Sequence, residues 1–216
     1  IVGSAKEVFD KADMIVKVKE PQPEECQQLR EGQVLFAYLH LAPDPQQMEL
    51  LLASKATCIA YETVTGADKG LPLLAPMSEV AGRLAVLEGA HHMTVMNGGK
   101  GILMSGVPGT PPAKVVIIGG GVVGYNAAIM AAGVNADVTL LDINVDRLRH
   151  LTEVFNGKVR CIYSTPAAIE EYCLQADMVV GAVLIPGAEA PKVLSRELIS
   201  RMRQGTVLVD VAIDQG

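Results

Sequence analysis

Short apolar runs alternate with polar, helix-like stretches along the first third of the chain. The runs are rich in Val, Ile and aromatic residues, as buried strands are, and they cover residues 14–18, 33–39 and 57–61. A polar stretch of helical character, 44–52, lies between the second run and the third. Strands that alternate with helices predict a parallel sheet with crossover helices. The first third of the chain therefore predicts a small α/β unit.

The pattern changes at Ser78 to one long helical stretch. Apolar residues recur there at helical spacing as far as about Met96, and Asn97-Gly98-Gly99 then ends the helix. A loop rich in Gly and Pro follows over residues 106–112. We interpret residues 78–97 as a helix that connects two domains.

The remainder of the chain alternates five predicted strands with four predicted helices, which is typical of a doubly wound parallel Rossmann sheet. The strands are 114–118, 137–141, 159–163, 178–183 and 206–212, and the helices are 122–133, 144–156, 166–175 and 195–203. The predicted organisation is thus a smaller α/β substrate domain (1–77), the connector helix (78–97) and a dinucleotide-binding Rossmann domain (98–216).

The ends of the sequence fall close to these predicted elements. The chain begins at Ile1 without a methionine and stops at Gly216, just after an apolar strand. Termini seldom lie against a core strand, and a sheet of this type usually has a sixth strand. We therefore expect a fragment of a longer protein in which both domains are truncated.

Composition excludes several classes of function. Half of the residues are hydrophobic and the net charge is −6, so no basic surface is expected for a nucleic acid. No apolar run reaches the roughly 20 residues of a bilayer span, and no secretory signal is evident. The four cysteines are scattered without metal-ligand spacing, so we expect free thiols, no metal site and a cytoplasmic protein.

The most specific motif is a glycine-rich loop at residues 119–124 (GGGVVG), which fits G-x-G-x-x-G between a predicted strand and a helix. Gly119 permits the tight turn, Gly121 lets the backbone approach a pyrophosphate, and Gly124 lets the helix pack closely on the sheet. The next strand ends in Asp142, whose carboxylate can accept hydrogen bonds from ribose hydroxyls and would repel a 2′-phosphate. This pattern predicts NAD as the cofactor, although the nearby Arg147 weakens the preference over NADP.

Polar residues at predicted strand ends are the candidates for chemistry, because ligands of open α/β sheets bind beyond the carboxyl ends of the strands. A dehydrogenase that works on an oxo acid needs a cation to hold the carboxylate or polarise the carbonyl, and a proton donor and acceptor that titrates near neutrality. Lys19 and His40 fit these two roles, and Asp210 and Asp214 stand at the end of the last predicted strand. The other histidines, His91, His92 and His150, are interpreted as structural.

Several segments together resemble the alanine dehydrogenases. They run in order over nearly the whole chain: KVKEP (17–21), LFAYLHLA (35–42), AYETV (60–64), LPLLAPMSEVAGRLAV (71–86), GGKGILMSGVPG (98–109), GGGVVGYNAA (119–128), LDIN (141–144), GAVLIPGAEAPK (181–192) and VDVAIDQG (209–216). The resemblance implies an NAD-dependent, reversible oxidative deamination of L-alanine to pyruvate and ammonium. It also implies a substrate domain and an NAD domain that flank a cleft, and a homohexamer.

The resemblance assigns roles to individual residues. Lys19 would bind the substrate, and His40 and Asp214 would move protons while water attacks the iminium. Four residues would contact the cofactor or line its cleft: Ser78, Asp142, Val183 and Leu184. Arg147 joins the candidate cofactor contacts through its position five residues after Asp142. The family also has an arginine near its N-terminus that grips the substrate carboxylate, and that segment is absent here. Glu62 is interpreted as a structural acid, with a divalent-cation contact as the alternative.

Three other functions remain open. The NAD(H)-binding component of a proton-translocating transhydrogenase has the same two-domain plan. Its sequence typically carries an SRAQSMD-type loop, whereas this sequence has LAPMSEVAGRLA (74–85) at that place. A saccharopine-type amino-acid dehydrogenase is the second alternative. The third is an NAD-binding fragment or regulator without catalytic activity.

Overall fold

A computed structural model describes residues 1–67, 70–185 and 190–213. The chain divides into two compact units, Ile1–Ala75 and Pro76–Gly216. This division falls two residues before the domain boundary predicted from the sequence. No helix among the described residues is long and apolar enough to cross a bilayer.

The first unit contains a parallel sheet in the order β1-β2-β3. Its strands are β1 (Met14–Val16), β2 (Val34–Ala37) and β3 (Thr57–Ala60), and its helices are α1 (Ala5–Lys11), α2 (Pro23–Cys26) and α3 (Pro45–Ser54). One face of the sheet packs into a core with Phe9, Leu35 and Leu51. On the other face, Met14, Val16 and Ile59 are exposed.

The second unit contains a five-stranded parallel sheet in the order β6-β5-β4-β7-β8. Its strands are β4 (Lys114–Ile118), β5 (Asp137–Asp142), β6 (Val159–Tyr163), β7 (Met178–Gly181) and β8 (Val207–Asp210), and its helices are α4 (Ala75–His92), α5 (Val122–Gly133), α6 (Val145–Phe155), α7 (Pro166–Gln175) and α8 (Arg196–Arg201). Helix α4 begins at Ala75, the last residue of the first unit. The chain runs outward from β4 to β6 and then returns to the other side of β4. This order is that of the predicted Rossmann sheet, and its switch point lies at the carboxyl ends of β4 and β7.

The central strands are buried on both faces, which explains their nearly continuous apolar sequence. Four of the five residues of β4 are buried. One face packs with α4, α5 and α6, and the other packs with α7 and α8. The rigid centre of the sheet thereby fixes the loops that leave β4, β5 and β7.

The predicted connector helix differs from α4 at both ends. The helix begins three residues before Ser78 and ends at His92, after which Val95–Asn97 form a separate 3-10 turn. The hydroxyl of Thr94 and the side-chain amide of Asn97 both donate to the carbonyl of His91. These local bonds compete with the helical ladder and so end the helix before Met96.

Candidate active site

Two glycines shape the dinucleotide loop, residues 119–124, at the end of β4. Gly119 has φ +103°, and a Cβ there would lie 2.6 Å from the carbonyl oxygen of Ala182. A Cβ on Gly124 would overlap the carbonyl oxygen of Gly119, which is how closely α5 approaches the turn. A Cβ on Gly121, in contrast, would meet no atom within 4 Å. The loop is therefore tight on its protein side and open at Gly121, where the motif predicts a pyrophosphate.

The N-terminus of α5 differs from those of its neighbours. The side chains of Ser4, Asp44, Asn144, Thr165 and Ser195 cap α1, α3, α6, α7 and α8, respectively. Gly121 occupies the same position in α5 and gives it no side-chain cap. The first N–H groups of a helix have no intrahelical partner and carry partial positive charge. These groups are suited to bind phosphate oxygens.

Asp142 ends β5 beside this loop. Its Oδ2 accepts a hydrogen bond from the N–H of Gly120 at 2.5 Å, and its Oδ1 accepts one from the N–H of Asn144 at 2.7 Å. Each carboxylate oxygen has further lone pairs, so both bonds are compatible with additional bonds from ribose hydroxyls. The structure thus brings the predicted acid and the predicted glycine loop into direct contact.

Arg147 also contacts the dinucleotide loop. Its Nε donates to the carbonyl oxygen of Gly120 at 2.6 Å, and its guanidinium lies over the ring of Tyr125, 5.5 Å from the centroid. The peptide units around Gly120 are consequently held by Asp142 on the N–H side and by Arg147 on the carbonyl side.

The other predicted cofactor contacts flank the loop. Ser78 is half-buried in the first turn of α4, one turn before Gly82. A Cβ on Gly82 would overlap the carbonyl oxygen of Val123, so this face of α4 lies against the start of α5. Val183 and Leu184 follow Ala182, the residue that faces Gly119; Val183 is half-buried and Leu184 is exposed.

In the first unit, His40 lies just beyond the end of β2 and between two carboxylates. Its Nε2 is 3.4 Å from Oε1 of Glu20, and its Nδ1 is 3.6 Å from Oε1 of Glu62. The ring stacks on Tyr38 with centroids 6.2 Å apart. The backbone of His40 has φ +44°, which is uncommon for a residue other than glycine. Such strained conformations persist where the surroundings hold them, and they concentrate at functional sites.

The structure distinguishes the two lysines of the KVKEP segment. Lys17 forms an ion pair with Glu25 and is mostly buried. The side chain of Lys19 is 78% exposed and lies 3.7 Å from Oε2 of Glu20. Lys19, the predicted substrate contact, is thus available to a ligand. We refer to Lys19, Glu20, His40 and Glu62 together as the histidine cluster.

Two residues of this cluster, Glu20 and Glu62, are not assigned to the site by any sequence motif. Oε1 of Glu62 accepts hydrogen bonds from the N–H groups of Leu39 and His40, both at 2.9 Å. The sequence contained a signal for this, because Glu62 lies two residues after β3 and β3 pairs with β2. Acids and histidines at the carboxyl ends of adjacent parallel strands are expected to meet.

Asp214, the predicted second proton carrier, lies outside the described residues. Within the described part of the chain, no group of three or more His, Cys, Asp or Glu side chains is arranged to hold a metal ion. All four cysteines are free thiols. Burial raises the pKa of Cys173 to about 11, so this thiol is a core residue rather than a nucleophile.

Comparison with known proteins places these features in context. Two family models match the chain: "Alanine dehydrogenase/PNT, N-terminal domain" over residues 1–81 and "Alanine dehydrogenase/PNT, C-terminal domain" over residues 85–216. An alanine dehydrogenase of Methanococcus maripaludis is 55% identical over the full 216 residues, which cover 58% of that relative. The chain thus spans a little over half the length of the curated relatives it matches.

Solved structures give the same result. An L-alanine dehydrogenase superposes over all of this chain with a TM-score of 0.88 and 49% identity, and 59% of that protein is covered. A transhydrogenase from Sinorhizobium meliloti superposes over 99% of the chain, and over 62% of its own, with a TM-score of 0.80 and 25% identity. Because the two family models together account for nearly the whole sequence, this chain belongs to the alanine dehydrogenase/PNT family.

Proposed function

We propose that the protein is an NAD-dependent L-alanine dehydrogenase, which converts L-alanine reversibly to pyruvate and ammonium. The observation that carries this proposal is His40, held at a strained backbone position between two carboxylates in a chain that also has a complete dinucleotide loop. A module that only binds a dinucleotide has no need for such a group. The proposal is further supported by 55% identity to an alanine dehydrogenase.

The second unit would bind NAD. The uncapped N-terminus of α5 and the open position at Gly121 suit the pyrophosphate, and Asp142 suits the ribose hydroxyls. Arg147 already binds the loop carbonyl and the ring of Tyr125, so it is not poised to neutralise a 2′-phosphate. We therefore propose NAD rather than NADP, with Ser78, Val183 and Leu184 as the surrounding contacts.

The first unit would bind and transform the substrate. NAD, when bound, accepts a hydride from the α-carbon of alanine. Lys19 supplies a positive charge for the carboxylate or for the oxygen of pyruvate. His40 removes a proton from the water that replaces the amino group, and in the reverse direction it returns that proton. General acid–base assistance of this kind typically contributes about 10²- to 10⁴-fold.

Asp214 completes the proposed set as a second proton carrier, on the strength of the family resemblance alone. The same resemblance supports a homohexamer in the cytoplasm. The contacts described for the histidine cluster and for the dinucleotide loop lie within their own units and do not depend on these further assignments.

The main alternative is an NAD(H)-binding component of a transhydrogenase, which the likeness to the Sinorhizobium meliloti structure keeps open. Such a component would transfer hydride between nucleotides and would not oxidise alanine. The difference gives a direct experiment: the protein is incubated with NAD and a panel of L-amino acids, and NADH is followed by its absorbance.

We expect NADH to form with L-alanine and to be consumed with pyruvate and ammonium. NADP in place of NAD is the matched control and should give little or no product, because Asp142 repels its 2′-phosphate. Absence of NADH with every amino acid, together with hydride exchange between two nicotinamide nucleotides, would establish the alternative instead.

A further inference from the structure

Glu62 has the least exposed side chain of the histidine cluster, and it makes contacts with His40 that no motif assigns. Its side chain is 16% exposed, compared with 32% for His40 and 78% for Lys19. Oε1 bonds to two consecutive backbone N–H groups and also lies 3.6 Å from Nδ1 of the imidazole. One carboxylate oxygen therefore touches both the backbone and the ring of the proposed proton carrier.

The second oxygen of Glu62 is anomalous. Oε2 is buried and has no hydrogen-bond partner among the described residues. An unsatisfied buried polar atom of this kind costs about 1–3 kcal/mol, and it calls for an explanation. A glutamine, or a shorter polar residue, could hold the backbone without placing a negative charge beside the ring.

The position of His40 explains why the backbone must be held. Its φ of +44° lies in the left-handed region, which is uncommon for residues other than glycine, and the bonds from the Leu39 and His40 N–H groups to Glu62 secure this conformation. The charge on the same oxygen stabilises the imidazole when it carries a proton. A second carboxylate, Glu20, faces the opposite ring nitrogen, but it also lies within 3.7 Å of Lys19.

We propose that Glu62 is the positioning residue for His40: it fixes the strained backbone and orients the ring through Nδ1, so that Nε2 exchanges protons on the side of Glu20 and Lys19. This arrangement follows the logic of a buried carboxylate that holds a catalytic histidine in one orientation and stabilises its protonated form. A separation of 3.6 Å is compatible with that role, because such contacts often tighten only when a substrate binds. The inference rests on the proposed function of His40.

The experiment compares Glu62→Gln with wild type by the pH dependence of kcat/KM for alanine oxidation. Glutamine keeps an oxygen for the two N–H groups but removes the charge, so it separates the electrostatic role from the structural one. The described groups that face the ring are Glu20, Tyr38 and Glu62, with Lys19 beyond Glu20. With one negative charge removed from beside the ring, the acid limb of the profile should move to lower pH.

Two further variants make the result specific. Glu49→Gln removes the same charge from an exposed site on α3, and its profile should coincide with that of wild type. Glu62→Asp keeps the charge, so its acid limb should stay near the wild-type position even though kcat falls. An unshifted limb in Glu62→Gln, or a limb in Glu62→Asp that moves as far as that of Glu62→Gln, would overturn the proposal.

A second measurement does not depend on turnover. Diethyl pyrocarbonate modifies neutral imidazole, and the modification of the His40 peptide can be followed by mass spectrometry as a function of pH. Removal of the Glu62 charge should increase the modification of His40 at about pH 6 several-fold relative to wild type and Glu49→Gln. Equal modification would contradict the role of Glu62, whereas the absence of alanine oxidation in wild type would contradict only the proposed function.

Discussion

At the scale of single residues, the peptide units around Gly120 connect the two parts of the proposed cofactor site, which are the dinucleotide loop and Asp142. Asp142 accepts from the Gly120 N–H, and Arg147 donates to the Gly120 carbonyl. The carboxylate thus braces the loop, and under the proposed function it has a second role as the acceptor for ribose hydroxyls. The two roles respond differently to substitution.

Asp142→Asn keeps an acceptor for the Gly120 N–H and loses the charge. We expect the Kd for NADH to rise by about tenfold or more, because hydrogen bonds to a charged group contribute about 1.5–3 kcal/mol. Calorimetric titration measures this change. Asp146→Asn is the matched control, since Asp146 is an exposed acid in the first turn of α6 that pairs with Arg149. This variant should bind NADH with the affinity of wild type. Equal affinity in both variants would remove Asp142 from the ribose site.

The strand-end rule explains which site residues can be predicted from sequence. His40 and Asp142 directly follow apolar runs, so their location at the carboxyl edge of a parallel sheet is a consequence of the pattern. The positive φ of His40 and the hydrogen bonds that Glu62 accepts cannot be predicted from the pattern, because they depend on how the turn after β3 packs against the end of β2. The sequence therefore predicted the polar ends of the strands but not the contacts between them.

At the scale of elements, the packing of α4 on α5 has little room for change. A Cβ on Gly82 would overlap the carbonyl oxygen of Val123, near the start of the helix that carries the dinucleotide loop. A side chain at Gly82 would have to push α4 away from the loop. The long helix, interpreted from sequence as a connector, is thus tightly packed against the start of α5.

Gly82→Ala should lower the free energy of unfolding by about 1–3 kcal/mol through overpacking, and it should weaken NADH binding. Chemical denaturation and calorimetry measure these two effects. Gly133→Ala is the control, because it is also a helical glycine but has open space where the Cβ would lie; it should be neutral or slightly stabilising. Equal stability of the two variants would show that the close approach of α4 is not needed.

Element boundaries were less predictable than the elements themselves. The predicted strands 14–18, 33–39, 178–183 and 206–212 are each shorter in the structure, mainly at their carboxyl ends. At these ends the chain leaves the ladder and enters the loops that carry Lys19, His40 and Val183. Apolar sequence continues past the last paired residue with mixed burial, since Leu39 is buried and Val18 is 68% exposed.

At the scale of the whole molecule, each unit has its own sheet, its own core and its own set of candidate residues. The doubly wound parallel sheet was predicted from the alternation of strands and helices together with the glycine loop, and the structure adds the strand order β6-β5-β4-β7-β8. The exposed face of β1 and β3 could not be inferred, because an apolar run does not indicate which of its faces is covered. Because the proposed cofactor contacts and the proposed catalytic groups lie in different units, we expect cofactor affinity and turnover to respond to different substitutions.

The most direct test of this separation of chemistry from cofactor binding uses the variant His40→Ala. Alanine-dependent NADH formation and the Kd for NADH are determined on the same preparation. We expect turnover to fall by at least about 10²-fold, because general acid–base assistance is lost, while the Kd for NADH stays that of wild type. His150→Ala, which changes an exposed histidine on α6, should change neither quantity. Turnover near the wild-type level in His40→Ala, or an equal loss of cofactor affinity, would contradict the assignment of chemistry to the first unit.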